Sequence, residues 1–201
     1  MKTSELQKII RAAKLVNSNL SLNEVLKNIV TVALELTNAD RGTLYLVDKN
    51  KDEIWSLIAT GSDTLEIRLK MGEGLAGYVA KYGKTINIKD VKTDSRFNSA
   101  YDNLSGYQTK SMICFPIKNI EEEVVGVLQL LNNRDGEFTN RDEKFLAALS
   151  IHSAIAINNA LMLRKQIELN EELTKAKQEA QKFAMLRSHF ITQMSHEIRT
   201  P

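Results

Sequence analysis

From Asn140 to Thr200 the chain holds neither glycine nor proline, and alanine, leucine, glutamate, lysine and glutamine dominate it. One helix over that stretch would run roughly 90 Å at 1.5 Å per residue. That is far beyond the helix length of an ordinary domain, so the pattern predicts a coiled coil. From Met162 a seam runs at alternating steps of four and three through Gln166, Leu169, Leu173, Ala176, Ala180 and Phe183. Glu168, Glu171, Glu172, Lys175 and Lys177 crowd its flanks, as a solvated exterior requires. Beyond Phe183 the apolar continuation is Leu186, Phe190 and Met194; the repeated step of three interrupts the heptad and would locally rewind the coil.

A chain of 201 residues holds one compact domain plus extensions. Its net charge of +2 gives no pull towards nucleic acid or an anionic membrane. The single cysteine, Cys114, sits in the apolar run Met112-Ile113-Cys114-Phe115. It rules out an internal disulfide framework, fits a reducing compartment, and reads as a buried small side chain rather than a reactive thiol. No apolar run approaches the ~20 residues that span a bilayer, and the N-terminus shows no signal-peptide pattern. The expectation is a cytoplasmic protein without a membrane segment and without a metal site.

Taken in order, Leu6, Ile9, Ile10, Ala13 and Val16 have helical spacing, which predicts an N-terminal helix over Thr3–Val16 that Asn17-Ser18-Asn19 breaks. It either pairs with a second copy or packs on the main domain. Ser21-Leu22-Asn23-Glu24 reads as a capping box, and Val25, Leu26, Ile29, Ala33 and Leu36 give the next helix one apolar face, ending near Asn38-Ala39-Asp40. Thr43–Val47 and Ile54–Ile58 alternate around a polar connection, a hairpin. Glu66–Met71 is a third strand with one wet face. Gly72-Glu73-Gly74-Leu75-Ala76-Gly77 turns the chain and lets a short helix approach closely; it lacks the following residues of a phosphate loop. Thr85–Ile88 is a short strand, and residues 90–106 form a long irregular connection of the kind that carries function. Lys110–Ile117 and Val124–Leu131 are too apolar for a one-sided position, so both belong inside the sheet. Thr139 and Asp142 make a helix-start pair.

Residues 22–164 resemble a GAF domain, the small-molecule-sensing fold of cyclic-nucleotide phosphodiesterases, phytochromes and many sensor kinases. The motifs that carry the likeness are Gly72–Gly77, Asp94-Ser95-Arg96-Phe97-Asn98, Gly106-Tyr107-Gln108-Thr109-Lys110-Ser111 and Cys114-Phe115-Pro116-Ile117. The resemblance implies an α+β fold. About six antiparallel strands would carry helices on one face and a ligand pocket on the other. The cyclic-nucleotide-binding kind is the nearest variety. Of its Asn-Lys…Phe…Asp-Glu signature, Asn132, Phe138, Asp142 and Glu143 are present, while Asn133 stands in the Lys position. In that family the Lys and Asp lock the pocket. Pocket positions implied by the resemblance are Thr43, Ala59, Thr60, Leu75, Ala76, Asn98, Asp102, Ser105, Thr109 and Gln129. Ala59 replaces an aromatic that stacks on the base. A cyclic nucleotide, another small molecule, or no ligand in a dimerisation module are the three readings left open. Bilin would need a cysteine in the pocket loop, and haem a histidine.

The last eight residues, Met194-Ser195-His196-Glu197-Ile198-Arg199-Thr200-Pro201, resemble the H-box of sensor histidine kinases. A neutral imidazole is a usable nucleophile near neutral pH, and an adjacent carboxylate can orient it. The resemblance implies His196 as the phosphoacceptor, Glu197 as its acidic neighbour and Pro201 as the helix-kinking proline. His152 and His189 lack such a context. The architecture expected is an N-terminal helix (1–20), a GAF sensor (21–164), a coiled-coil signalling helix (165–189) and the start of a phosphoacceptor domain (190–201). The resemblance implies a parallel homodimer in a two-component system, with a response regulator receiver domain as partner. ATP and Mg would belong to a catalytic domain this stretch lacks, so it would not phosphorylate itself. The alternatives are a stand-alone GAF ligand-binding or dimerisation module without catalytic activity, with a cyclic nucleotide among its candidate ligands, and an enzyme-regulating GAF domain of phosphodiesterase or cyclase type.

Overall fold

The computed structural model describes residues 21–59 and 67–198. Two compact units divide the chain, Met1–Ala160 and Leu161–Pro201. In the first, helix α1 (Leu22–Thr37) leads into strands β1 (Ala39–Asp48), β2 (Glu53–Ala59) and β3 (Ile67–Lys70), then helix α2 (Gly74–Tyr82) and strand β4 (Ile86–Ile88). A 3-10 turn (Val91–Thr93), helix α3 (Ala100–Ser105) and strands β5 (Met112–Lys118) and β6 (Val124–Asn133) follow, before helix α4 (Asn140–Ile198). The six strands form one antiparallel sheet in the order β3-β2-β1-β6-β5-β4. This is the α+β architecture the sequence predicts, with both strongly apolar strands inside the sheet.

Strand alternation sends one set of side chains to each face. Leu44, Leu46, Ile113, Leu128 and Leu130 pack with Leu26, Ile29 and Val30 of α1 and with Leu146 and Ile157 of α4. Each such side chain, fully buried, contributes about 1.5–3 kcal/mol. A Cβ on Gly42 would lie 3.0 Å from Leu130 and Val30, so the glycine in β1 is what lets α1 settle onto the sheet. Tyr45, Ile54, Met112, Cys114 and Val127 face the other way, against Leu75, Ala76, Val79 and Ala80 of α2. Helices therefore cover both faces rather than one: α2 occupies part of the face expected to hold only a pocket. Gly77 makes that possible, since a Cβ there would meet the Lys70 carbonyl oxygen at 2.7 Å.

Three local expectations change. Ser21 is the N-cap of α1, but its side chain makes no capping hydrogen bond; the helix starts on the backbone bond from Val25 N–H to the Ser21 carbonyl, 3.0 Å. The exposed hydroxyl has water as an alternative partner. The connection 90–106 is not irregular throughout: Asn98 Oδ1 accepts from the Ala100 amide at 2.9 Å and α3 begins there. Six residues are too few for helical periodicity to show in a sequence. The helix expected over Thr3–Val16 lies outside the described residues.

Helix α4 starts as the sequence predicts. The Thr139 amide and hydroxyl donate to Asp142 Oδ2 at 2.7 and 2.8 Å. Phe145, Leu146, Leu149, Ala154, Ala156, Ile157 and Ala160 are buried. From Leu161 to Arg187, in the second unit, all side chains are exposed except half-buried Leu163. By length and composition α4 also contains an 18-residue window apolar enough to cross a membrane, with mean hydropathy 1.5 and 39% of it buried. Packing against the sheet accounts for that buried part.

Candidate functional site

On the α2 face of the sheet lies a cavity of about 500 Å³. Six separate segments build it. The sheet supplies Tyr45 from β1, Leu69 from β3, Met112 from β5 and Gln129 from β6; the start of α2 supplies Glu73 to Ala76; and the connection after β4 supplies Ser95 to Ser99. The lining thus combines an aromatic and thioether floor with amide, hydroxyl, guanidinium and carboxylate groups at the wall. Gln129 Nε2 donates to Met112 Sδ at 3.4 Å, which fixes the amide on the floor. The amides of Gly74, Leu75 and Ala76 are the first-turn donors of a helix, which have no acceptor within the helix itself.

Among the described residues Arg96 is the one cation in this lining. Its Nε and Nη2 donate to Asp94 Oδ1 and Oδ2 at 2.9 and 2.6 Å, and its backbone amide donates to the same Oδ1 at 3.0 Å. The guanidinium also lies over the Tyr78 ring, 4.5 Å from its centroid. That bidentate contact holds the Asp94 carboxyl below its usual range. Glu73 sets a carboxylate beside the helix start, where its Oε2 accepts from the Lys70 amide at 3.1 Å.

Of the residues nominated from the sequence, Leu75, Ala76, Asn98 and Gln129 line this cavity. Thr43 lies directly across from Gln129 in the β1–β6 register, half-buried and outside the lining. Asp102 and Thr109 bind each other instead: the Thr109 amide and hydroxyl donate to the two Asp102 carboxylate oxygens, each at 2.7 Å, and fasten the segment after α3. Thr60 and the side chains of Ala59 and Ser105 lie outside the described residues. Sequence reasoning missed Tyr45, Arg96 and Met112. Tyr45 shares a strand face with Thr43, and Met112 shares one with Cys114, so alternation was the available signal. Cys114 itself is fully buried, and burial pushes its thiol well up.

The signature residues act as fasteners. Asn132 has a left-handed backbone, φ 53°; its Oδ1 accepts from the Lys110 and Ser111 amides, and its Nδ2 donates to the Tyr107 hydroxyl and the Gln108 carbonyl. Tyr107 in turn donates to Asp40 Oδ2 at 2.8 Å beneath the Arg41 guanidinium, 3.7 Å from its ring centroid. Burial, then the Asp40 hydrogen bond, push the Tyr107 phenol up to about 12. Asn133, buried in the Lys position, donates from Nδ2 to the Thr37 carbonyl at 2.9 Å and so closes the end of α1. Asp142 serves Thr139. Asn87 of β4 donates to Glu143 Oε1 at 2.9 Å and to the Phe138 carbonyl at 3.1 Å, tying the sheet edge to the start of α4. His196 and Glu197 lie on α4; their side chains are outside the described residues. Among the described residues no group of three or more His, Cys, Asp or Glu is placed to hold a metal.

The probable 3',5'-cyclic phosphodiesterase pde-5 of Caenorhabditis elegans is 35% identical over 157 residues, covering 72% of this chain and 21% of the relative. The dual 3',5'-cyclic-AMP and -GMP phosphodiesterase 11A of Takifugu rubripes is 34% identical over 186 residues, 85% of this chain and 21% of the relative. This chain therefore spans about a fifth of the length of those relatives. Among solved structures, the GAF domain of a phosphoenolpyruvate-protein phosphotransferase from Coxiella burnetii superposes with a TM-score of 0.71 at 25% identity, over 80% of this chain and 96% of that one. Free methionine-R-sulfoxide reductase from Neisseria meningitidis shares the fold, with a TM-score of 0.65 at 19% identity over 77% of this chain and 89% of that one. The GAF domain family model matches residues 21–157, which contain the whole sheet, both of its covered faces and the cavity, and the chain belongs to that family.

Proposed function

We propose that this chain is the ligand-binding sensory module of a longer signalling protein and that its cavity takes a small molecule of the cyclic-nucleotide class. The observation that carries this reading is the cavity itself. Its volume of about 500 Å³ falls within the roughly 300–1,000 Å³ usual for small-molecule sites. Tyr45 and Phe97 offer ring surface for a base, Gln129 and Asn98 offer amides for its edge, and Arg96 offers donors for an anionic group. The relatives named as cyclic-nucleotide phosphodiesterases support the ligand class. Thiol-dependent reductase chemistry fits this chain poorly, because such chemistry needs an accessible thiolate and its one cysteine is buried.

The test is a thermal-shift titration with cyclic AMP and cyclic GMP. A ligand at 100 times its dissociation constant adds about 2.7 kcal/mol, which for a domain of this size raises the melting midpoint by roughly 5–10 °C. No shift with either nucleotide at millimolar concentration removes the ligand class.

A second reading concerns the end of α4. The string Met194–Pro201 supports His196 as a phosphoacceptor, with a histidine kinase catalytic domain supplying ATP and Mg and a response regulator receiving the phosphoryl group. The phosphodiesterase relatives place ligand binding ahead of this reading. A purified kinase core added in trans with labelled ATP is expected to label the wild-type chain and not His196→Gln. Equal labelling of the two ends the assignment.

A further inference from the structure

The charge around the cavity is not arranged to attract anions freely. Arg96 and Glu73 both stand in its lining. Asp94, just outside the lining, takes Arg96 Nε and Nη2 at 2.9 and 2.6 Å. A single guanidinium is thus set against two carboxylates. The Lys81 ammonium adds no cation to the lining; it lies 5.7 Å from the centroid of the Tyr82 ring.

Both carboxylates are held in place. The Arg96 backbone amide donates to Asp94 Oδ1 at 3.0 Å, and the guanidinium rests over the Tyr78 ring. The hydrogen bonds from Arg96 keep the Asp94 carboxyl below its usual range, so it stays ionised at neutral pH. Glu73 is the N-cap of α2 but makes no side-chain capping bond; its Oε2 accepts from the Lys70 amide at 3.1 Å. Its charge sits at the end of the helix where the dipole would otherwise favour a ligand anion.

A 3',5'-cyclic diester carries one negative charge. Opening the ring gives a 5'-monoester, whose charge at pH 7 is about −1.5 to −2 because its second pKa is near 6. The two molecules share base and sugar, so Gln129 and Asn98 have no means of telling them apart; only the phosphate end differs. A monoanion that reaches Arg96 stands in for the charge of Asp94. A dianion brings surplus negative charge beside Asp94 and Glu73, and like charges repel.

We propose, on the cyclic-nucleotide reading of the cavity, that Glu73 and Asp94 are specificity-determining residues that limit the ligand to one negative charge, so that the cavity takes the cyclic ester and rejects its 5'-monophosphate. The sensor then reports the intact messenger and ignores the product of its hydrolysis.

The test is isothermal titration of the full chain with cyclic AMP, cyclic GMP, 5'-AMP and 5'-GMP. Two variants are compared with wild type, Glu73→Gln and Asp94→Asn, whose amide oxygens still accept from the Lys70 amide and from Arg96. Wild type is expected to bind its preferred cyclic nucleotide at least ~tenfold more tightly than the matching monophosphate at low salt. Each variant should narrow that ratio by about fivefold, the scale of one partly screened charge, chiefly by a gain on the monophosphate. High salt should narrow the wild-type ratio towards that of the variants. A merely structural role would weaken both nucleotides together and leave the ratio unmoved. A ratio that either variant leaves unchanged overturns the proposal while the cyclic-nucleotide reading stands, as does equal wild-type affinity for the two esters. Absence of binding by any nucleotide removes the ligand class, and the proposal with it.

Discussion

Asn133 shows how one side chain can decide what a motif does. A lysine is expected there, to lock a pocket, but the buried amide caps α1 at Thr37 and accepts from the Asp135 amide at 2.8 Å. Asn133→Lys should therefore destabilise the domain, by about 3 kcal/mol, since it removes buried hydrogen bonds and buries an ammonium. Urea denaturation measures this; unchanged stability would mean that the lysine reaches Asp142 and that the lock is available after all. Tyr107 gives a prediction in pH. Its folded pKa is about 12 against an ordinary 10.0, so the unfolded chain loses its proton first. The stabilisation is complete below pH 10 and drains away between pH 10 and about 12. Tyr107→Phe should be less stable at neutral pH, having lost the bonds to Asp40 and Asn132, yet show a flatter alkaline limb in melting experiments.

Among elements, α2 has the least room. Gly77→Ala would drive a methyl into the Lys70 carbonyl at 2.7 Å, and backbone cannot step aside as a side-chain tip can. The expected cost is about 1–3 kcal/mol, seen as a lower melting midpoint, with a loss of ligand affinity because Gly74–Ala76 line the cavity. Wild-type stability in this variant would contradict the close packing described. Elements were also where the sequence spoke clearly. Alternation located β1, β2 and β3, unbroken apolar runs located β5 and β6, and Thr139 with Asp142 marked the start of α4, because period, run length and capping are properties of neighbours in sequence. Helix α3 stayed hidden, since six residues are too few for a helical period to show and its start is set by Asn98. Ser21 misled for the opposite reason: the residue type was right, but the hydroxyl was not used.

For the molecule as a whole, the fold was legible and the cavity only partly so. Leu75, Ala76, Asn98 and Gln129 came from family positions. Arg96 and Tyr45 reach the same cavity from segments about fifty residues apart, and no local pattern encodes that meeting. Asp102 and Thr109 were misplaced because they satisfy each other, a pairing visible only once α3 is formed. The sheet's order has one more effect. Its outermost strands, β3 and β4, are four and three residues long, and β3 carries Arg68 and Lys70 on its outward positions. Short, charged margins offer poor templates for stray chains. The protein can therefore be crowded with copies of itself and still resist fibrous aggregation through its strands.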